Sequence, residues 1–167
     1  MADPVSCVES ILTNGKGICD RVNTVTSFNM FKKSSEQLRD RLETAMKIVK
    51  ETANKLQFID IFKKLDDSIL KADKFTIEFV DMGFLKTVTQ AIYIKGRFES
   101  LNNDLSCFQT DMDIALQKNA VEERKEIFNM LKELKDSREK YISTANDDFV
   151  TAQTELEEKR KQIQQGM

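Results

Sequence analysis

Apolar positions in this chain recur at spacings of three and four, the period that places side chains on one face of an α-helix. Phe98, Leu101, Leu105, Phe108, Met112 and Ala115 form the clearest such stripe, and Glu99, Asn102, Asn103, Asp104, Asp111 and Asp113 fill the other faces. Nothing from Phe98 to Leu116 breaks a helix, which at 1.5 Å per residue is expected to run about 28 Å. A single stripe of this kind cannot remain in water alone, so the rest of the chain must cover it.

Three earlier stripes supply that cover. Asp3-Pro4 reads as a helix start, an N-cap acid followed by proline, and Val5, Val8, Ile11/Leu12, Gly15, Ile18/Cys19, Val22 and Val25 continue from it. Thr13-Asn14-Gly15-Lys16-Gly17 is poor helix material, each glycine costing about 1 kcal/mol relative to alanine, so packing must hold this first helix, and it is expected to open first. Gly15 reads either as a close approach between helices or as a hinge. From Ser27, a second pattern runs through Phe28, Phe31, Ser35, Leu38, Leu42, Ala45, Val49 and Leu56. Asn54 to Asp60 reads as a connection with Asp60 as cap. Phe62, Leu65, Ile69, Ala72, Phe75/Thr76, Phe79 and Met82 form the third stripe, with Gly83 as its C-terminal cap. Phe84 to Ile94, apolar and uncharged apart from Lys86, is expected to be a short helix leading through Gly96 into the stripe that begins at Phe98.

After Lys118 the character changes. Val121 to Ile142 is densely charged, with a narrow stripe at Ile127/Phe128, Met130/Leu131, Leu134 and Tyr141/Ile142. Ser143 to Asp148 looks like an interruption, with Thr144 and Asp147 in capping-box spacing, before Phe149, Ala152, Leu156 and Ile163 resume. So thin a stripe suits helices laid across a bundle that already exists, with Ile127, Phe128, Leu131 and Leu134 as the contacts; it also suits a dimeric coiled coil. The expected architecture is all-α: an up-and-down four-helix bundle over residues 1–118, followed by one or two brace helices over 119–167.

Composition removes several function classes. The 167 residues contain no histidine, which takes away the commonest acid–base group and metal ligand. Cys7, Cys19 and Cys107 lack zinc-ligand spacing and read as reduced thiols in a cytoplasmic protein. Asp66/Asp67 and Asp147/Asp148 are adjacent pairs that diverge on a helix, and no glycine-rich phosphate loop occurs. No enzyme, cofactor or metal site is therefore expected. The net charge of −2 argues against a nucleic-acid partner, and no run of apolar residues is long enough to span a bilayer.

Charge becomes informative along the second stripe. Between Phe28 and Lys55 there are seven bases and four acids. Spacing is expected to place Lys32, Lys33, Arg39 and Lys47 on one flank, with Arg41 and Lys50 as secondary members, and Glu36, Glu43 and Glu51 opposite; Asp40 is the exception. The bland reading is a solvated face. The sharper one is an anionic membrane surface, where each cation contributes about 1 kcal/mol and four to six together could hold a domain.

Ile11 to Val22, the succession of elements from Phe75 to Leu116, and Glu122 to Lys132 together resemble the HeLo-type four-helix-bundle family, in its necroptotic, mixed lineage kinase domain-like branch, over nearly the whole chain. The resemblance rests on element order and hydrophobic spacing, and it implies a cell-death executioner. Such a bundle is held by a brace and released when an upstream receptor-interacting kinase acts through a pseudokinase domain that this sequence does not contain. It then forms a homo-oligomer, moves from cytoplasm to plasma membrane, binds phosphoinositides through basic side chains and permeabilises the bilayer. The alternative is a non-enzymatic helical adaptor or oligomerisation domain that binds only protein partners.

Overall fold

The computed structural model describes residues 4–25, 29–53, 56–117 and 125–166. The fold is an all-α bundle, with no strand among the described residues. Its helices are α1 (Pro4–Val22), α2 (Lys32–Thr52), α3 (Ile59–Val80), the short α4 (Phe84–Thr89), α5 (Ala91–Gln117) and α6 (Lys125–Gln165). The main packing runs in a ring, α1 on α2, α2 on α5, α5 on α3 and α3 on α1, which leaves α2 and α3 on a diagonal. The remaining long helix, α6, lies along both α2 and α5 and touches α4.

Phe98 sits where the stripes meet. Its ring is edge-on to Phe79 at 5.0 Å, Phe75 at 5.4 Å and Phe31 at 6.1 Å, so α5 joins α3 to the start of α2 through aromatic contacts. Burial of these rings, with Leu42, Ile69, Leu105 and Met112, supplies the hydrophobic stabilisation that the glycine-bearing α1 lacks on its own. Gly15 resolves to close approach: it is buried within an unbroken α1, and a Cβ there would run into the Met46 thioether.

Several boundaries differ from the sequence expectations. The helix centred on Phe98 begins at Ala91, not after Gly96, because Ala91 and Ile94 are buried and hold an extra two turns that glycine alone would not favour. Gly83 adopts no left-handed conformation; with φ −73° and ψ 170° it precedes α4, and α3 ends at Asp81 in ordinary helical geometry. Phe58, not Asp60, occupies the capping position of α3, while Asp60 lies in the first turn, where its charge faces the positive helix end. The interruption expected at Ser143 to Asp148 does not occur. α6 passes straight through it, since Tyr141, Ala145 and Ala152 are buried on one side and Asp148 is bonded to α2. Asp3, Ser27, Phe28, Asn54, Lys55, Lys118, Val121 and Glu122 to Arg124 lie outside the described residues.

Candidate functional site

Structure redraws the basic flank of α2. Lys33, Lys47 and Lys50 are exposed, and Lys32 and Arg39 are half-buried. The acids do not keep to an opposite face. Glu36 approaches Lys32 to 3.9 Å, and at about 100° per residue Glu43 falls on the same side as both. Arg39 donates to Asp40 Oδ1 from Nε at 3.1 Å and from Nη2 at 3.0 Å, and from Nη1 to Asn23 Oδ1 at 2.6 Å, which ties α2 to the end of α1. The outer face of α2 is thus a mixture of signs, and the expected segregation of charge is corrected.

Arg41 is a larger correction. It is 2% exposed, so in this fold it faces no lipid. Ser34, Arg41 and Ile48 form a second buried line on α2, offset from the Leu38, Leu42, Ala45 and Val49 line that faces the bundle. The heptad spacing of 34, 41 and 48 was a signal in the sequence, but its members include a serine and an arginine and so read as surface.

That line meets α6. The Arg41 guanidinium donates from Nε to Ser137 Oγ at 3.1 Å and from Nη2 to the Leu134 carbonyl at 3.1 Å. It also reaches α5, at the Asn102 carbonyl (3.4 Å) and Ser106 Oγ (3.5 Å). None of these partners is a carboxylate. Burial, reinforced by nearby Arg138, lowers the Arg41 pKa to about 10. Further along α6, Asp148 accepts from the Ser34 N–H at 3.2 Å and from the Ser34 hydroxyl. Burial raises the Asp148 pKa, against the lowering effect of the Ser34 bonds. Tyr141, buried beside this seam, has a phenolic oxygen without a hydrogen-bond partner among the described residues, and burial pushes its pKa well up.

Apolar contacts complete the seam. Ile127, Leu131 and Leu134 are buried in the same core as the other helices, and Phe128 is half-buried against it, so all four expected brace contacts of α6 pack on the bundle. Beyond Ala152, no described residue of α6 is buried.

A third feature lies at the turn between α3 and α5. Across α4 and the first turns of α5, Phe84, Leu85, Ile92 and Tyr93 are exposed, while Thr87, Val88, Ala91 and Ile94 anchor the segment. Tyr93 stacks edge-on to Phe75 at 5.8 Å, and the Arg97 guanidinium lies over the same ring, 5.9 Å from its centroid. Cys7 and Cys19 are buried free thiols, with burial raising both pKa values, Cys19 to about 12; Cys107 is free and exposed. No helix among the described residues is long and apolar enough to cross a membrane.

Compared with known proteins, the chain matches no family model, no curated protein and no solved structure.

Proposed function

We propose that this chain is a non-enzymatic membrane-permeabilising module of the cell-death executioner type, a helical bundle restrained by α6. Once released, it oligomerises on anionic, phosphoinositide-bearing membrane. The sequence resemblance suggests the reading, and one observation carries it: α6 closes on α2 over a buried arginine that pairs with no carboxylate among the described residues. Taking an ion out of water costs several kcal/mol, and dipoles repay this only in part. Separating α6 rehydrates Arg41 and Asp148, so this seam opens at a lower cost than an apolar seam of equal area. That property suits a brace that must first hold and then let go.

Dye release from phosphatidylserine vesicles, with and without phosphoinositide, tests the reading on the whole chain. A Ser34→Cys/Asp148→Cys pair, whose parent side chains already touch, would lock α6 to α2 in a Cys107→Ser background. The reduced protein is expected to release dye and the oxidised one to retain it. Intact vesicles under reducing conditions would reject permeabilisation.

The exposed end of α6 favours a second reading. Phe149, Leu156 and Ile163 keep heptad spacing into the stretch where nothing is buried, as a helical adaptor pairing with another helix would. An adaptor of this kind associates with partners and leaves vesicles sealed.

A further inference from the structure

We propose that the corner formed by residues 82–98, α4 and the first two turns of α5, is the surface by which the intact bundle docks on an anionic bilayer. This deepens the membrane reading and rests on it. The chain carries a net charge of −2, yet Met82 to Phe98 contains Lys86, Lys95 and Arg97 and not one acid. At its borders lie Asp81, exposed beside Met82, and Glu99, which pairs with Lys95 at 2.6 Å. From α6, Lys159 lies 6.0 Å from the Phe84 ring and adds a fourth cation at the edge.

Within this basic rim the centre is apolar and open. Leu85 is 60% and Ile92 72% exposed, with Phe84 and Tyr93 beside them. Aliphatic and aromatic side chains bordered by cations match an interface of acyl chains under anionic headgroups, where tyrosine also finds its preferred depth. The outer face of α2 lacks this match, because none of the exposed large apolar side chains among the described residues lies on it. A second copy of the chain fits the corner poorly, since a two-fold contact would set like cations against each other. As the connection between two packed helices, the corner sits at an end of the bundle, beside the last turns of α6.

Flotation of the full chain with phosphatidylcholine vesicles, with and without phosphatidylserine, gives the baseline. Leu85→Ser/Ile92→Ser is expected to weaken partitioning onto anionic vesicles about tenfold, and Lys86→Gln about fivefold. A triple α2 variant, Lys33→Gln/Lys47→Gln/Lys50→Gln, should change it less than twofold. The chain has no tryptophan, so Ile92→Trp supplies a unique reporter, with Ile114→Trp on the far part of α5 as control. Emission at position 92 should shift blue and be quenched by brominated lipid, while position 114 stays in water. If the parent binds but the serine variant binds equally, or position 114 inserts instead, the corner assignment falls and the membrane reading stands. If the parent never floats, both fall. A blue shift at 92 that grows with protein concentration in the absence of vesicles would identify a second copy as the occupant and overturn the lipid assignment.

Discussion

Two helix seams in this molecule handle charge in opposite ways. Where α1 meets α3, charge meets opposite charge: Arg21 pairs with Asp73 and donates to Thr76 Oγ1 at 3.3 Å, and Ser10 donates to Asp66 at 2.6 Å. The Arg21 and Asp73 side chains remain 27% and 24% exposed, so water still screens them, and Ile11 and Ile18 beneath are buried. Where α2 meets α6, the arginine is buried, the aspartate is half-buried, and each is answered by hydroxyls and backbone groups. A rim ion pair contributes little but costs little, whereas an unpaired buried ion is a standing penalty against the contact around it. The seam with the less favourable charge arrangement therefore belongs to the helix added outside the four-helix ring.

The strongest way to break this comparison is to remove apolar contact from the α6 seam. Leu131→Ala is expected to cost about 3 kcal/mol, as for other buried leucines. In hydrogen exchange, α6 amides should then open well before those of α1 and α5. Equal loss of protection in all three helices would mean that α6 and the ring unfold as one unit. In the parent protein the same contrast ranks α6 ahead of α1 in opening, the reverse of the order expected from the glycines of α1. Early exchange confined to residues 5–22 would restore the sequence-based order.

Replacing the buried cation should act with the opposite sign. Arg41→Met keeps the length and removes the ion, and is expected to raise stability by about 1 kcal/mol in urea denaturation. Arg41→Ala, which leaves a cavity, should lower it. A destabilising methionine would show that the four dipolar partners compensate the charge in full. The same variant should slow α6 exchange and reduce dye release.

On the α1–α3 side, Asp73→Asn should cost less than about 1 kcal/mol, the ordinary worth of a partly exposed pair. A loss comparable to that of Leu131→Ala would end the distinction between the seams.

The smallest effect depends on pH. Asp148 holds its proton more tightly folded than unfolded, so the native state gains stability as pH falls toward the ordinary carboxyl value of 3.8. That gain is lost as pH rises through the raised folded value. Asp148→Asn should accordingly be more stable than the parent at neutral pH by less than about 1 kcal/mol, with the difference closing in acid. A difference that widens in acid would mean that the Ser34 bonds outweigh burial.

Much of the fold is legible in the amino-acid sequence. Helical spacing located the apolar stripe of each long helix, because burial follows the same three-and-four period that the stripe shows. Phe98, Leu105 and Met112 were readable as core, and Ile127, Leu131 and Leu134 as contacts of the last helix. Helix ends were less legible: Gly83, Gly96 and Ser143–Asp148 carry local signals that tertiary packing overrode. On the candidate surfaces, reading charge by count missed its arrangement, and Glu36 beside Lys32 is the clearest instance.

By itself the sequence determined that this protein is a set of amphipathic helices with one apolar face each, because a side chain's hydrophobicity and its period are local properties. Which helix has a second buried face was decided only by tertiary structure. Arg41 looks like surface until α6 covers it, since burial of a polar residue depends on a neighbour remote in the chain. Leu85 and Ile92 look like core until the bend between α4 and α5 leaves them outside, for the same reason. Periodicity says that a face must be covered; only the assembled bundle says by what, and which faces are left for something else.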